Sequence, residues 1–485
     1  MAGIGFELRK IFKEESLSAM AKGAAYSTVV TIGPTIIIIS TLILLYIALG
    51  FFSIEFDQRE LLSSTILYAF IFSVICTSPF NAVASRYIAD KIYFEQIDDV
   101  LPSFYSGLAS SLVLGCAMAI PFLLRVWQVG GVAPWFVWCS FGLFVSLIIV
   151  LYAANYLVAT KEYKMITLYY VLGMVLAAAL ALAFHYWAGQ SAIESILYGL
   201  TIGFQLVAFL LFSYIRKYFS GNSRAYGAFF RYCGRFMPVF LTNLFYTLGL
   251  YVHNFVFWSL PNHMVVAQSY VSSMAYDMAS CLAMFSNISM IVLFTVMAET
   301  KFHEIYQQYN ESVIGATYGK IRLNRKRMFR LLSQQLFYLA MVQALISFIL
   351  FLIAYAALPR LGFSGMTISI YPLLSGTYFA IFSTYCCIIF LFYFDDRWGA
   401  LCTALILFAG NLVGALLSCR LSPEFYGVGP LAGSLLAWSF GYFRIRYMER
   451  HFDRHIFCHV RVVEQLAQPQ PDNIVYRQPT EQPHG

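Results

Sequence analysis

Charge is the scarcest property of this sequence. Of 485 residues, only 11% are Asp, Glu, Lys or Arg, whereas 60% are hydrophobic. A soluble domain carries about 25% charged residues. A chain long enough to bury a large core could not coat the outside of that core with so few. A soluble globular protein is therefore excluded, and integration in a membrane is required. CxxC pairs are absent, and most of the ten cysteines fall in or beside apolar runs, Cys386 and Cys387 among them. That excludes a disulfide framework and reads as small core residues. No GxSxG, Walker A or HExxH pattern occurs. No catalytic, cofactor-binding or metal-ligating residue is assigned, and an enzyme is not expected. A cleavable signal peptide is also lacking. The N-terminus is amphipathic and charged ahead of the first apolar run, which would act as its own insertion signal.

What the sequence has in abundance is long apolar segments. They lie near 24–52, 61–85, 100–124, 134–158, 165–187, 192–215, 237–259, 265–298, 331–357, 369–394, 398–418 and 427–443. A spanning helix needs about 20 apolar residues, which gives about twelve spans, the last of them marginal. Basic residues support the alternation. One side of the membrane receives only Arg59, Arg125, Arg360 and Arg420, and the other receives the rest of the 31 Lys and Arg residues. This is the positive-inside pattern, with both termini cytoplasmic. The net charge of +7 then needs no nucleic acid to explain it.

The loop at 216–236 divides the chain into residues 1–215, with spans one to six, and 237–443, with spans seven to twelve. That arrangement suggests a two-lobed transporter, although no residue-level repeat is evident. The inner stretch 299–330 reads as an interfacial helix ending in a basic cluster. Residues 444–485 form a cytoplasmic tail, polar and proline-rich after about Glu464 and predicted to be disordered.

Polar residues recur on helix faces inside the spans. Ser27, Thr31 and Thr35 repeat in span one around Gly33-Pro34. Thr77, Asn81 and Ser85 repeat in span two, and Asn243, Thr247 and Asn254 in span seven. Ser269, Ser273, Asp277 and Ser280 form the longest stripe, in span eight. Residues at these spacings stack on one side of a helix, and such a side must face protein or water. Two readings are open: glue between helices, at about 0.6–2 kcal/mol per contact, or the wall of a hydrated path.

Asp277 sharpens the choice, because a carboxylate at a span centre costs roughly 2.5 kcal/mol or more. With 265–298 as one helix, Asp277 lies near the membrane midplane, opposite Tyr246 and Thr247. It is either protonated and donating to a neighbour such as Tyr246, or ionised and facing a cavity. The candidate transport path is Thr31, Thr35, Asn81, Asn243, Tyr246, Thr247, Asn254, Ser273 and Asp277. Tyr246, Tyr251, Tyr270 and Tyr276 beside it are either interface anchors or platforms for sugar rings.

Two further clusters stand out. Arg322, Arg325, Lys326 and Arg327 are denser than orientation alone requires. They could dock an acidic cytosolic partner or bind anionic lipid. His451, His455 and His459, beside Cys458, have the spacing of metal ligands, or of an amphipathic surface helix.

The opening "MAGIGFELRKIFKEESLSAMAKGAAYSTVVTIGPTIIII" resembles the start of the PelG family, the inner-membrane component of the Pel exopolysaccharide machinery. The run "GIGFELRK", the basic lead into span one and Gly33-Pro34 carry the resemblance, which covers about residues 1–455. It implies an all-α polytopic membrane protein with about twelve transmembrane helices in two six-helix lobes around a central cavity. It also implies export of an N-acetylgalactosamine-rich polysaccharide made by a cytosolic glycosyltransferase, PelF. PelD and PelE are the implied membrane partners. The resemblance transfers no site residues.

Three competing functions differ in their demands. A polysaccharide exporter needs a polar and aromatic path and partner-binding inner loops. A lipid-linked oligosaccharide flippase needs cations in its cavity for the pyrophosphate, and no Lys or Arg lies near a span centre. An ion-coupled small-molecule antiporter would use Asp277, but leaves the basic inner loops unexplained.

Overall fold

The computed structural model describes residues 17–458 except 161, 261–262, 299–301 and 360–363, with side chains described within 32–452, that of Phe52 excepted. Helix dominates because a backbone in lipid must satisfy its own hydrogen bonds. The first half contains α1 (Leu17–Ala48), α2 (Phe56–Tyr93), α3 (Val100–Gln128), α4 (Pro134–Ala159), α5 (Tyr163–Tyr186) and α6 (Ala192–Tyr218). A short amphipathic helix, α7 (Tyr226–Arg235), leads into the second half. That half contains α8 (Met237–Trp258), a hairpin of β1 (Met264–Val266) and β2 (Tyr270–Ser272), α9 (Met274–Asn287) and α10 (Ser289–Met297). It continues with α11 (His303–Gly315), α12 (Tyr318–Ala357), α13 (Gly365–Tyr393), α14 (Arg397–Ser418) and α15 (Val428–Cys458).

Ten helices among the described residues are long and apolar enough to cross a membrane, counting α9 and α10 as one. The expectation was about twelve. Of the helices expected as spans, α1, whose described apolar part is Ile32–Ala48, and α15 lie outside this set. Helix α15 stays against the bundle by backbone contact. A Cβ at Gly429 would lie 1.9 Å from the Gly414 carbonyl oxygen, and one at Gly433 would lie 2.3 Å from the Gly410 carbonyl carbon. Gly410 and Gly414 therefore face Gly429 and Gly433, as small residues do where membrane helices approach closely. Helix α1 is continuous through Pro34.

Buried apolar side chains form two large clusters. One draws on residues between Leu45 and Phe229, the other on residues between Val256 and Phe452. A thin seam joins them, in which Ile71 and Ile75 of α2 meet Trp258 of α8. The two helices run antiparallel there: Phe72 stacks on Phe255 at 5.8 Å, and Phe80 meets Phe240 edge-on at 5.3 Å.

Two expectations need correction. Residues 265–298 are not one helix but a hairpin followed by α9 and α10. The pairs Met264↔Ser272, Val265↔Val271 and Val266↔Tyr270 define the hairpin register. The 299–330 stretch is not a loop with one interfacial helix. Within it α11 ends at Gly315, and the basic cluster opens the 40-residue helix α12. Met328 and Phe329 of that helix are buried, and Phe329 packs on Phe394 and Phe452 at 5.1 Å each. That packing fixes which face carries the basic residues: Arg322, Lys326 and Arg327 are exposed and Arg325 is half-buried.

Candidate transport site

The end of the bundle that carries the hairpin is closed by aromatic residues from both halves. Tyr68 of α2 stacks on Trp258 of α8, with ring centroids 5.0 Å apart and planes within 5°. Tyr270 of the hairpin meets Tyr68 edge-on at 5.2 Å and Phe122 of α3 edge-on at 5.1 Å. Beneath them lies a cavity of about 360 Å³, walled by Tyr68, Phe72, Met118, Phe122, Phe144 and Tyr270. Thr65 and Ser140 also line it, but the Ser140 hydroxyl is spent on the Phe136 carbonyl at 2.7 Å. Flat aromatic walls suit the C–H faces of a sugar ring or another apolar surface. No Lys or Arg belongs to the lining. A second, more polar cavity of about 660 Å³ opens at the same end, between the hairpin and Asp57, Gln58, Ser191 and Glu194.

Asp277 sits in the first turn of α9 and accepts from neutral donors only. Asn254 Nδ2 donates to Oδ1 at 2.8 Å. Trp258 Nε1 lies 3.0 Å from Oδ1 and 2.8 Å from Oδ2, and the Ser273 amide donates to Oδ2 at 2.9 Å. This corrects the midplane position opposite Tyr246 and Thr247. Asp277 is level with the last turn of α8, and its partners are Asn254 and Trp258. Reaching back to the amide of the N-cap residue resembles a capping box, and the helix N-terminus favours a carboxylate there. The polar stripe of span eight is likewise broken. Ser269 lies in the hairpin turn, Ser273 caps α9, and only Asp277 and Ser280 are inside the helix. Ser280 extends the network, 3.3 Å from Asn254 Oδ1 and 2.6 Å from the Tyr378 hydroxyl.

The other path candidates are dispersed. Ser85 and the backbone of Asn81 meet Asn155 of α4: Asn155 Nδ2 donates to the Asn81 backbone carbonyl at 3.0 Å, and Ser85 Oγ lies 2.9 Å from Asn155 Oδ1, while Asn81 Oδ1 is buried with no hydrogen-bond partner among the described residues. This is contact within the first half. Asn243 donates to the carbonyl of Val239 on its own helix at 3.3 Å. Thr247 is buried, whereas Tyr246 is half-buried, with its ring 5.3 Å from that of Tyr385. Thr35 is half-buried, and the side chain of Thr31 lies outside the described residues. Of the four tyrosines, Tyr270 walls the cavity. Tyr276 is fully buried, 3.0 Å from His253 Nδ1, and Tyr251 packs in the seam.

His451 stacks on Tyr447 at 4.3 Å, while the His455 side chain and all of His459 lie outside the described residues. Sequence reading missed Tyr68, Phe72 and Phe122, since aromatic residues in a span look alike whether they face lipid or a cavity.

The opposite end, where the basic residues collect, is closed by charge. Arg86 of α2 donates to Asp395 at 3.0 Å, and Arg397 grips the same carboxylate through two contacts of 2.8 Å. Desolvation pushes the Asp395 carboxyl up, but Arg397 and Arg86 outweigh it and hold it below the usual carboxylate value.

The model of the PelG family, described as "Putative exopolysaccharide Exporter (EPS-E)", matches residues 1–457. Curated proteins give no match. Among solved structures, an outward-facing multidrug resistance MATE family transporter of the MOP superfamily is 14% identical, with a TM-score of 0.58 over 88% of this chain and 96% of its own. An inward-facing MATE family transporter is 12% identical, with a TM-score of 0.51 over 82% of this chain and 92% of its own. A mutant of the Vibrio cholerae MATE transporter VcmN is 12% identical, with a TM-score of 0.61 over 89% of this chain and 98% of its own. At these identities the likeness is one of fold. The chain is a multi-pass membrane protein with the fold of MATE transporters, and it belongs to the PelG family of exopolysaccharide exporters.

Proposed function

We propose that this chain moves a Pel-like, N-acetylgalactosamine-rich polysaccharide across the bacterial inner membrane as it is made. In this reading the basic end is cytoplasmic and the hairpin end is periplasmic, because Lys and Arg collect on the side that is not translocated. The chain then has twelve spans, with α1 and α15 completing the two sets of six, and both termini are in the cytoplasm. The observation that carries the reading is the aromatic cavity between α2, α3, α4 and the hairpin, which has no cation in its lining. A lipid-linked oligosaccharide would bring a pyrophosphate that such walls cannot pair. A PelF-like transferase supplies the polymer, and PelD-like and PelE-like proteins complete the complex. The exposed basic turns of α12, with Arg322, Lys326 and Arg327 beside Arg325, are the docking surface for the transferase.

Co-reconstitution tests this. Inverted vesicles holding this chain, the transferase and the membrane partners should accumulate polymer in the lumen when given nucleotide sugar. Tyr270→Ala should reduce accumulation at equal protein level. Polymer that stays outside vesicles of the complete complex would refute the reading. Changing Arg322, Arg325, Lys326 and Arg327 together to Gln should weaken co-purification of the transferase. If co-purification is unchanged, the cluster is a lipid contact.

A further inference from the structure

At the basic end an aromatic ring sits between two guanidiniums, one from each half. Phe236 is the one residue between α7 and α8. Its ring lies 4.3 Å from the Arg86 guanidinium and 4.4 Å from that of Arg397. Arg86 comes from α2 in the first half, and Arg397 opens α14 in the second. Asp395 bridges the two guanidiniums and holds a left-handed backbone, φ 55, which is uncommon for a residue with a side chain.

Each side of this cluster is anchored in its own half. Helix α7 is tied to the first half, where Tyr232 donates to Asp90 and its ring packs edge-on against Tyr87 at 5.0 Å. The α13–α14 turn is tied to the second half, where Arg444 holds Asp396 at 2.5 and 3.1 Å. Asp396 also accepts from the Gly399 amide at 3.0 Å. The two halves thus meet here through the buried Phe236 ring and one shared carboxylate, with the Phe80–Phe240 contact beside them. The ion pair is partly open to water, since the Arg86 and Asp395 side chains are 30% and 49% exposed. Separating the ion pair replaces it with hydration at small net cost, while parting the apolar contact exposes Phe236 and the Phe80–Phe240 pair.

We infer that Arg86, Asp395, Arg397 and Phe236 form the gate at the basic end of the route between the halves. The gate is closed in this structure and parts when substrate is admitted. The inference rests on the transporter reading above. The hairpin end closes by a different chemistry, through ring stacking and two hydrogen bonds between the Tyr68 hydroxyl and the Val271 backbone, so the two ends can be opened separately by substitution.

Hydrogen exchange on the full chain in nanodiscs tests it, together with polymer delivery by the complete complex. Arg86→Gln should raise exchange of the amides in 235–240 and 394–398 by about tenfold, as expected for a local opening. The hairpin amides should stay within about twofold. Polymer delivery should slow by about fivefold as the resting population shifts toward the open basic end. Arg86→Lys keeps the charge but not the planar stack. It serves as the folding control and should raise exchange less. Unchanged exchange at the basic end, or an equal rise at both ends, would overturn the gate. So would undiminished delivery by a variant whose basic end exchanges freely. Delivery absent from the wild-type complex would refute polysaccharide export instead, and the exchange pattern would still decide whether the halves part here.

Discussion

The Tyr68 hydroxyl both donates to the Val271 carbonyl at 2.8 Å and accepts from the Val271 amide at 3.1 Å. Residues 203 apart in sequence are joined by this two-way bond, across the boundary between the first half and the hairpin. Tyr68→Phe removes both hydrogen bonds and keeps the stack on Trp258. The Val271 amide and carbonyl lose their partner on α2, which costs about 1–3 kcal/mol where no water replaces it. The expected result is faster exchange across 264–272 with the basic end unaffected. Unaltered hairpin exchange would mean that the rings alone hold this end shut.

Asp277 allows a sharper test than its sequence position suggested. Its carboxylate accepts four contacts, all from groups that can only donate. An Asn side chain has one acceptor oxygen and must aim its NH₂ at a donor. Asp277→Asn should therefore lower stability by about 1–3 kcal/mol, read as a lower thermal midpoint in detergent. Export per folded molecule should be nearly normal. Asp277→Glu should not restore stability, because the added methylene displaces the carboxylate from Asn254 and Trp258. Normal stability with lost export would instead make Asp277 part of the transport chemistry.

Much of the architecture was legible because membrane physics is coarse. Apolar length located most of the helices. The eighth span was misread because β-branched residues are as apolar as helix formers. The pattern Met264-Val265-Val266, then Ala267-Gln268-Ser269, then Tyr270-Val271-Ser272 sets β-formers on both sides of a short turn, as a hairpin does. It lacks the Asn-Gly signature of the turn, since Ala267 and Gln268 both take φ 48 there. The site was less legible than the fold. Polar stripes mark helix contacts as readily as paths, and Ser85 proved to meet Asn155 of α4. The cavity wall is made of Tyr and Phe from α2, α3, α4 and the hairpin. No sequence period links those segments.

The glycines of α14 and α15 make a packing prediction. The pairs 410/414 and 429/433 have the small-xxx-small spacing, and the carbonyl oxygen of Gly414 would be 1.9 Å from a Cβ at Gly429. Backbone cannot rotate away as a side chain can. Gly429→Val should therefore separate the helices and sharply lower the yield of folded protein, at a cost of several kcal/mol. Gly227→Ala is the control, since nothing lies within 4 Å of a Cβ placed there, and it should be tolerated. Equal yields from the two variants would mean that α15 is not held by this contact.

The ion pair at the basic end predicts a pH dependence of definite sign. Arg397 and Arg86 hold the Asp395 carboxyl below its ordinary value, against desolvation that pushes it up. A group with a depressed folded-state pKa stabilises the fold fully above its unfolded value, about 3.9 for Asp. That contribution fades as pH falls through the folded value. The stability difference between wild type and Asp395→Asn should therefore be constant from pH 7 to about pH 5 and shrink below about pH 4. The pair is partly exposed, so added salt should reduce the same difference at neutral pH. Thermal unfolding of both proteins across pH and salt measures this. A difference that grows on acidification would require a carboxyl that gains its proton on folding, which is opposite to the arrangement of Arg86 and Arg397 around Asp395.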